Sequence, residues 1–193
     1  MIYVLFVSAA YLIGSIPVGL FLSKIHGKDP RKTGSGNIGA TNVMRTAGKT
    51  AGIITLIGDV AKGFLPVVLT SYYSSSYFLV ALTGLSAFLG HLYPVYLRFR
   101  GGKGVATALG VYLAVSPTAI LIDILIFIAV LFKWRYVSLG SLVGAFMMPV
   151  ILFFLRAPNL YIALSILISI FILLKHKDNI TRLARGEENK FKI

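Results

Sequence analysis

The sequence predicts an all-α integral membrane protein with seven transmembrane helices, its N-terminus outside and its C-terminus cytoplasmic. Three observations predict this. Of 193 residues, 57% are hydrophobic and only 13% charged, against about a quarter charged in a soluble domain. The apolar residues come in long runs, and a membrane helix needs roughly 20 of them to cross ~30 Å of hydrocarbon. The loops between those runs alternate sharply in charge, the pattern that fixes orientation in a bilayer.

The apolar runs are 2–23, 51–72, 77–97, 104–116, 117–132, 137–155 and 159–174. The first opens Met1-Ile2-Tyr3-Val4 without the basic stretch of a cleavable signal peptide, so it reads as a retained span. Its Gly14, Ser15, Pro17 and Gly19 suit close helix packing and a kink. A loop with Lys24, Lys28, Arg31, Lys32, Arg45 and Lys49 follows, while the second loop, Tyr72 to Ser76, carries no charge. Arg98, Arg100 and Lys103 mark the third; Ser116-Pro117 has none; Lys133 and Arg135 mark the fifth. Arg156 stands alone before a tail holding Lys175, Lys177, Arg182, Arg185, Lys190 and Lys192. Every Lys and Arg except Arg156 and Lys62 therefore falls on one side, which the positive-inside rule makes cytoplasmic.

The stretch 104–132 is the ambiguous one. Basic loops flank both its ends, so an even number of crossings separates them, yet two helices of ~14 residues rise only about 20 Å each. Seven spans is the expectation; five spans plus a re-entrant hairpin is the alternative. No internal repeat suggests an inverted-repeat transporter, and 1–193 reads as one polytopic domain.

The net charge of +13 sets topology and does not imply nucleic acid. There are no cysteines, hence no disulfides or thiolate ligands. Three histidines without an H-x-x-x-H pair give no basis for a metal, and no cofactor is expected. Asp59 and Lys62 lie three apart in the second run, so they share a helix face and pair. Asp123 has no opposite charge within a turn.

Three polar segments stand out. The first runs Lys32-Thr33-Gly34-Ser35-Gly36-Asn37-Ile38-Gly39-Ala40-Thr41-Asn42-Val43-Met44-Arg45. Glycine-rich backbone turns N–H groups toward an anion, Ser35, Asn37, Thr41 and Asn42 add side-chain donors, and Arg45 supplies a planar fork that suits phosphate. Gly34, Gly36 and Gly39 match G-x-G-x-x-G with Asp59 twenty residues on, but a nicotinamide site needs a preceding strand and a βαβ unit. Second comes Gly90-His91-Leu92-Tyr93-Pro94, then Arg98 to Thr107 with Gly101-Gly102-Lys103-Gly104 opening an apolar helix. A helix N-terminus beside a lysine suits phosphate, although the spacing is not that of a P-loop. His91 is read as fixing buried helix ends. The third is His176-Lys177-Asp178-Asn179, where His176 and Asn179 share a face if the helix continues. Each segment also fits a plainer reading as a topology-setting turn or helix cap. Two glycine-rich basic segments on one face favour a phosphate site, and donors at one edge favour an enzyme over a transporter.

These segments resemble those of a known family. G-S-G-N-x-G-A-T-N-x-x-R at 34–45, G-H-x-x-P at 90–94, G-G-K-G-V-A-T at 101–107 and H-x-x-N at 176–179 are similar to the bacterial acyl-phosphate:glycerol-3-phosphate acyltransferases, the PlsY family. The similarity covers essentially the whole chain and includes Arg135-Tyr136-Val137-Ser138. It implies transfer of a fatty acyl group from acyl phosphate to the sn-1 hydroxyl of glycerol 3-phosphate, giving lysophosphatidic acid and phosphate for phospholipid synthesis. It also implies a multi-pass protein of the cell inner membrane with a cytoplasmic active site. Functional neighbours would be enzymes that make acyl phosphate and that acylate lysophosphatidate. By the resemblance, Ser35 and Arg45 are needed for activity, and Gly101, Gly102, Lys103 and Gly104 bind phosphate and glycerol 3-phosphate. His176 and Asn179 match the third motif, and Ser141 lines the phosphate pocket. A C-terminal glutamate, Glu187 or Glu188 with Glu187 the first choice, is structural. Acyl phosphate is a mixed anhydride whose leaving group needs little protonation, so positioning and charge stabilisation are expected to supply most of the catalysis. The His-x-x-x-x-Asp dyad of other glycerolipid acyltransferases is absent after His26, His91 and His176. The expected base is therefore the donor's own phosphate, with His176 the runner-up.

Overall fold

The computed structural model describes residues 2–191; Met1, and the Lys192 counted in the basic tail, lie outside the described residues. Those residues form helices, turns and loops, with no strand among them. The chain falls into two compact units, Met1–Ala114 and Val115–Ile193, a division that the sequence alone does not reveal.

In the first unit the opening apolar run is two helices, α1 (Ile2–Gly14) and α2 (Val18–Ile25). The break falls at Pro17, which has no N–H to donate and locks its own φ. α3 (Ala40–Ala47) is a short helix inside what the sequence reads as a loop, and it packs on α4 (Lys49–Tyr73). α5 (Tyr77–Leu92) is capped by the Ser76 hydroxyl, which accepts from the Leu79 N–H at 3.3 Å. A single 3₁₀ turn at Val95–Leu97 follows, then α6 (Val105–Val115). Small residues let these helices approach backbone to backbone, as membrane helices must when hydrophobicity alone does not drive them together. A side chain at Gly14 would collide with the Ala87 backbone, and one at Gly90 with the Tyr11 carbonyl, so α1 and α5 are matched from both sides. Ser86 Oγ donates to the Val7 carbonyl at 2.8 Å across the same seam. Gly63 of α4 sits against Thr107 of α6, and Gly110 of α6 against Val60 of α4.

The second unit holds α7 (Pro117–Trp134), α8 (Val137–Phe154), α9 (Asn159–Lys175) and α10 (Lys177–Ala184). Gly140 meets Phe127 and Gly144 meets the Asp123 carboxylate, which brings α8 against α7. The Ser169 hydroxyl donates to the Ala145 carbonyl and ties α9 to α8. α9 and α10 are bent by 61° at His176, so the last helix does not simply continue. Beyond α10 the tail returns, and the Phe191 N–H donates to the Arg135 carbonyl at 2.7 Å.

Large apolar side chains such as Leu5, Phe21, Leu65, Phe132 and Phe154 are exposed, while Thr55, Asp59, Lys62, Thr70 and His91 are buried. That distribution suits a protein whose surface meets hydrocarbon. Among the described residues five helical segments are long and apolar enough to cross a membrane, or six if the bent α9–α10 pair is one span. α6 has 11 residues and rises about 16 Å, short of span length.

Candidate active site

The loop before α3 is organised by one side chain. Asn42, 2% exposed, donates through Nδ2 to the carbonyls of Pro30 (2.8 Å), Thr33 (3.1 Å) and Asn37 (2.8 Å). Its Oδ1 accepts from the Ser35 N–H at 2.8 Å. Both ends of the amide are thus committed to folding the loop, so Asn42 holds the segment's shape where the sequence suggested a phosphate donor. Gly34, at φ +62, backs onto the Asn42 amide where a side chain would collide. Asn37 Oδ1 accepts from the Gly39 N–H at 2.8 Å and shapes the entry to α3. Around this buried brace the polar groups turn outward: Ser35 and Arg45 are exposed and Thr41 is half-buried. A nearby ion pair also went unforeseen. Arg31 Nε and Nη2 bond Asp29 at 2.9 and 2.7 Å, and that bidentate guanidinium holds the Asp29 carboxyl down at about 2.

The Gly101–Gly104 turn is laid on the C-terminal end of α5. The Gly101 N–H donates to the Leu92 carbonyl at 3.2 Å and the Gly102 N–H to the His91 carbonyl at 3.1 Å. These two amides therefore serve the protein's own backbone, and on this geometry the two glycines shape the turn without cradling an anion. Gly102 rests on the His91 ring, and Gly104, at φ +85, rests on Phe88 and Leu92, with no room for a side chain at either. The turn presents half-buried Lys103 beside the start of α6, whose first turn leaves N–H groups without intrahelical partners. Thr107, one turn in, is fully buried, and its hydroxyl has no hydrogen-bond partner among the described residues.

Under the turn, Lys62 Nζ lies 2.8 Å from Asp59 Oδ1, with both side chains buried. This is the ion pair expected from their spacing. His91 Nδ1 lies 3.6 Å from the same oxygen, a third member that sequence separation hid.

In the second unit Glu188 gathers the polar groups. Its Oε1 accepts from Asn179 Nδ2 at 2.7 Å and from Ser138 Oγ at 3.0 Å, and its Oε2 from Arg182 Nε at 2.7 Å. Burial pushes the Glu188 carboxyl up, but the bonds from Arg182, Asn179 and Ser138 outweigh it and hold the group below its ordinary 4.5. Of the two glutamates the sequence left open, Glu188 is thus the brace, while Glu187, the first choice, is exposed. Arg182 and Ser138 were unassigned in the sequence; only the return of the tail brings them together. His176, 3% exposed, stands at the α9–α10 bend, and its Nδ1 donates to the Ile172 carbonyl at 2.8 Å. Asn179 lies one turn on, buried. Ser141 Oγ donates to its own helix at Val137 O, 2.9 Å away.

The structure is thus a helical membrane protein that presents Ser35 and Arg45 at the surface of one folded loop and a half-buried Lys103 on another. Comparison with known proteins makes the class specific. Residues 4–186 match the family model described as glycerol-3-phosphate acyltransferase. The chain is 51% identical over 189 residues to the glycerol-3-phosphate acyltransferase of Geotalea daltonii, covering 98% of this chain and 97% of that one. It is 43% identical to the Fusobacterium nucleatum enzyme of the same name, with both chains fully covered. Among solved structures, PlsY (YgiH), an integral membrane glycerol 3-phosphate acyltransferase, in its glycerol 3-phosphate form superposes with a TM-score of 0.96. The identity there is 40%, over 100% of this chain and 96% of that one. The lysophosphatidic acid form gives a TM-score of 0.93. The chain belongs to the glycerol-3-phosphate acyltransferase family. It is an integral membrane enzyme, an acyltransferase of phospholipid biosynthesis.

The Glu188 cluster gives a direct prediction. Glu188→Ala leaves three donors without their acceptor and is expected to lower stability by about 2 kcal/mol or more. Glu187→Ala, at an exposed carboxylate, is expected to stay within about 0.5 kcal/mol. Because the folded carboxyl of Glu188 lies below its unfolded value, its contribution is complete above pH 4.5 and is lost as pH falls through the lower, folded value. Thermal unfolding in detergent at stepped pH checks this; Glu188→Gln should flatten that part of the profile.

Proposed function

We propose that this chain transfers a fatty acyl group from acyl phosphate to the sn-1 hydroxyl of glycerol 3-phosphate, giving lysophosphatidic acid and inorganic phosphate. The observation that carries the reading is the whole-chain likeness to a relative solved in a glycerol 3-phosphate form and a lysophosphatidic acid form. The sn-1 oxygen attacks the acyl carbonyl carbon, the bond from that carbon to the phosphate oxygen breaks, and phosphate departs with the hydroxyl proton. The donor's phosphate is thus its own base. Ser35, Arg45, Lys103, His176 and Asn179 are the catalytic set, in which Arg45 and Lys103 hold phosphate oxygens as the charge shifts. Asn37, Thr41, Thr107 and Ser141 support phosphate binding, with Gly34 and Gly104 giving the turns their form. A carbonyl only accepts, so the Nδ1 contact to Ile172 puts the proton of a neutral His176 on Nδ1 and the lone pair on Nε2. That observation keeps His176 as the second candidate for the base.

The enzyme sits in the cell inner membrane with its active site on the cytoplasmic face, drawing glycerol 3-phosphate from the cytosol and the acyl donor from the leaflet. It works between an enzyme that forms acyl phosphate and one that acylates lysophosphatidate. The chain crosses seven times, with its N-terminus outside, and the alternation of basic and uncharged loops supports that count. α6 and α7 supply the even number of crossings that the basic loops at 98–103 and 133–135 require.

Two experiments test these readings. With palmitoyl phosphate and glycerol 3-phosphate, folded Arg45→Ala and Lys103→Ala should each lose at least about tenfold in kcat/KM; wild-type kinetics in both would remove the phosphate assignment. His176→Ala with intact binding but a kcat lower by several orders of magnitude would make His176 the base. For topology, the natural chain has no cysteine, so single cysteines report cleanly. An impermeant thiol reagent outside the cell should label Ser75→Cys and Ser116→Cys but not Gly186→Cys. Labelling at 75 without 116 would replace seven spans by five and a re-entrant hairpin.

A further inference from the structure

Three charged or chargeable groups are buried together in the first unit: Lys62 at 6%, His91 at 4% and Asp59 at 2% exposure. Taking ions out of water costs several kcal/mol each, and a packed apolar replacement is often as stable. Ionisable groups kept within spans therefore direct attention to what they hold in place.

The contacts form a continuous line. Lys62 Nζ donates to the Ile16 carbonyl at 2.9 Å, at the break between α1 and α2, and pairs with Asp59 Oδ1 at 2.8 Å. Asp59 Oδ1 faces His91 Nδ1 at 3.6 Å, a contact just beyond hydrogen-bond distance on the buried edge of the ring. Gly102 then lies directly on that ring, with His91 Nε2 in the space that a side chain at Gly102 would need, and its N–H bonds the His91 carbonyl at 3.1 Å. Lys103 is the next residue. The imidazole is thus the floor of the turn, and whatever sets the tilt of that ring sets the height at which Lys103 and the first turn of α6 are held. Sub-ångström placement of a charge matters for rate, because misplacing a positioned group by about 1 Å costs on the order of a hundredfold.

We propose that Asp59, Lys62 and His91 are positioning residues for Lys103, acting through the His91 ring on Gly102. The inference rests on the reading of Lys103 as a substrate-phosphate residue. The Lys62 end, held on the Ile16 carbonyl, ties the setting of the turn to the broken first span.

A double-mutant cycle between His91→Ala and Lys103→Ala, assayed as kcat/KM with palmitoyl phosphate and glycerol 3-phosphate, tests it. If His91 acts through Lys103, each single variant loses about tenfold or more, both move the same kinetic parameter, and the double variant falls less than about threefold below Lys103→Ala. Losses that multiply in the double variant overturn the inference, as does a His91→Ala enzyme that loses thermal stability but keeps wild-type kcat/KM. Where His91→Ala does not fold, Asp59→Asn, which keeps volume and hydrogen-bonding capacity, takes its place in the cycle, and the same losses support or overturn the inference. The outcomes separate two failures. A Lys103→Ala enzyme with wild-type kinetics removes the role of Lys103 and the positioning idea with it. An impaired Lys103→Ala combined with multiplicative losses removes the positioning idea alone.

Discussion

Hydrocarbon offers no hydrogen bonds, so every polar group carried into it must find its partner inside the protein. The bond from Lys62 to the Ile16 carbonyl is where this constraint bears hardest on the first unit. Pro17 breaks the opening span, and beside the break the Ile16 carbonyl, which accepts from the Val18 N–H at 3.1 Å, takes a second bond from the lysine of α4. That lysine then needs a counter-charge, which Asp59 supplies one turn away, and the aspartate draws in His91 from α5. Three helices and the Gly101–Gly104 turn meet along this line of polar contacts, where any one charge buried without the others would be costly.

A division of labour runs through both units. The residues that hold shape are buried or half-buried and turned inward: Asn42 under the 30–42 loop, His91 under the Gly101–Gly104 turn, and Glu188 under the α10 tail. The residues proposed to meet substrate, Ser35, Arg45 and Lys103, are presented at or near the surface on those braces. Preorganised donors of this kind stabilise developing charge without reorganising at the moment of reaction. Such an arrangement suits a reaction whose donor already carries a good leaving group.

The helices were legible in the sequence because lipid imposes a length and a composition that few other environments do. The runs 51–72, 117–132 and 137–155 reappear as α4, α7 and α8 within a few residues, and Gly14 to Pro17 marked a real break. α3 and α10 were not legible as helices, since eight-residue amphipathic segments owe their form to tertiary contacts more than to propensity. The glycines carried a double meaning. Gly101 and Gly102 read as an anion cradle, whereas the structure uses their missing side chains for contact with α5; composition does not separate these uses. Asn42 and Glu188 pose the same problem, because which member of a polar run turns inward depends on backbone turns and on a tail that returns over α8. The Asp59–Lys62 pair was visible at three-residue spacing, but His91, thirty residues on, was not.

Recognition of a phosphate on each of two substrates is the property on which the proposed chemistry of this membrane enzyme turns. The most direct measurement is phosphate release by the purified protein in lipid vesicles carrying palmitoyl phosphate. Phosphate and lysophosphatidic acid are expected on adding glycerol 3-phosphate, and neither with glycerol nor when palmitoyl-CoA replaces the donor. Equal transfer to glycerol, or palmitoyl-CoA serving as well as palmitoyl phosphate, would contradict recognition of both phosphates.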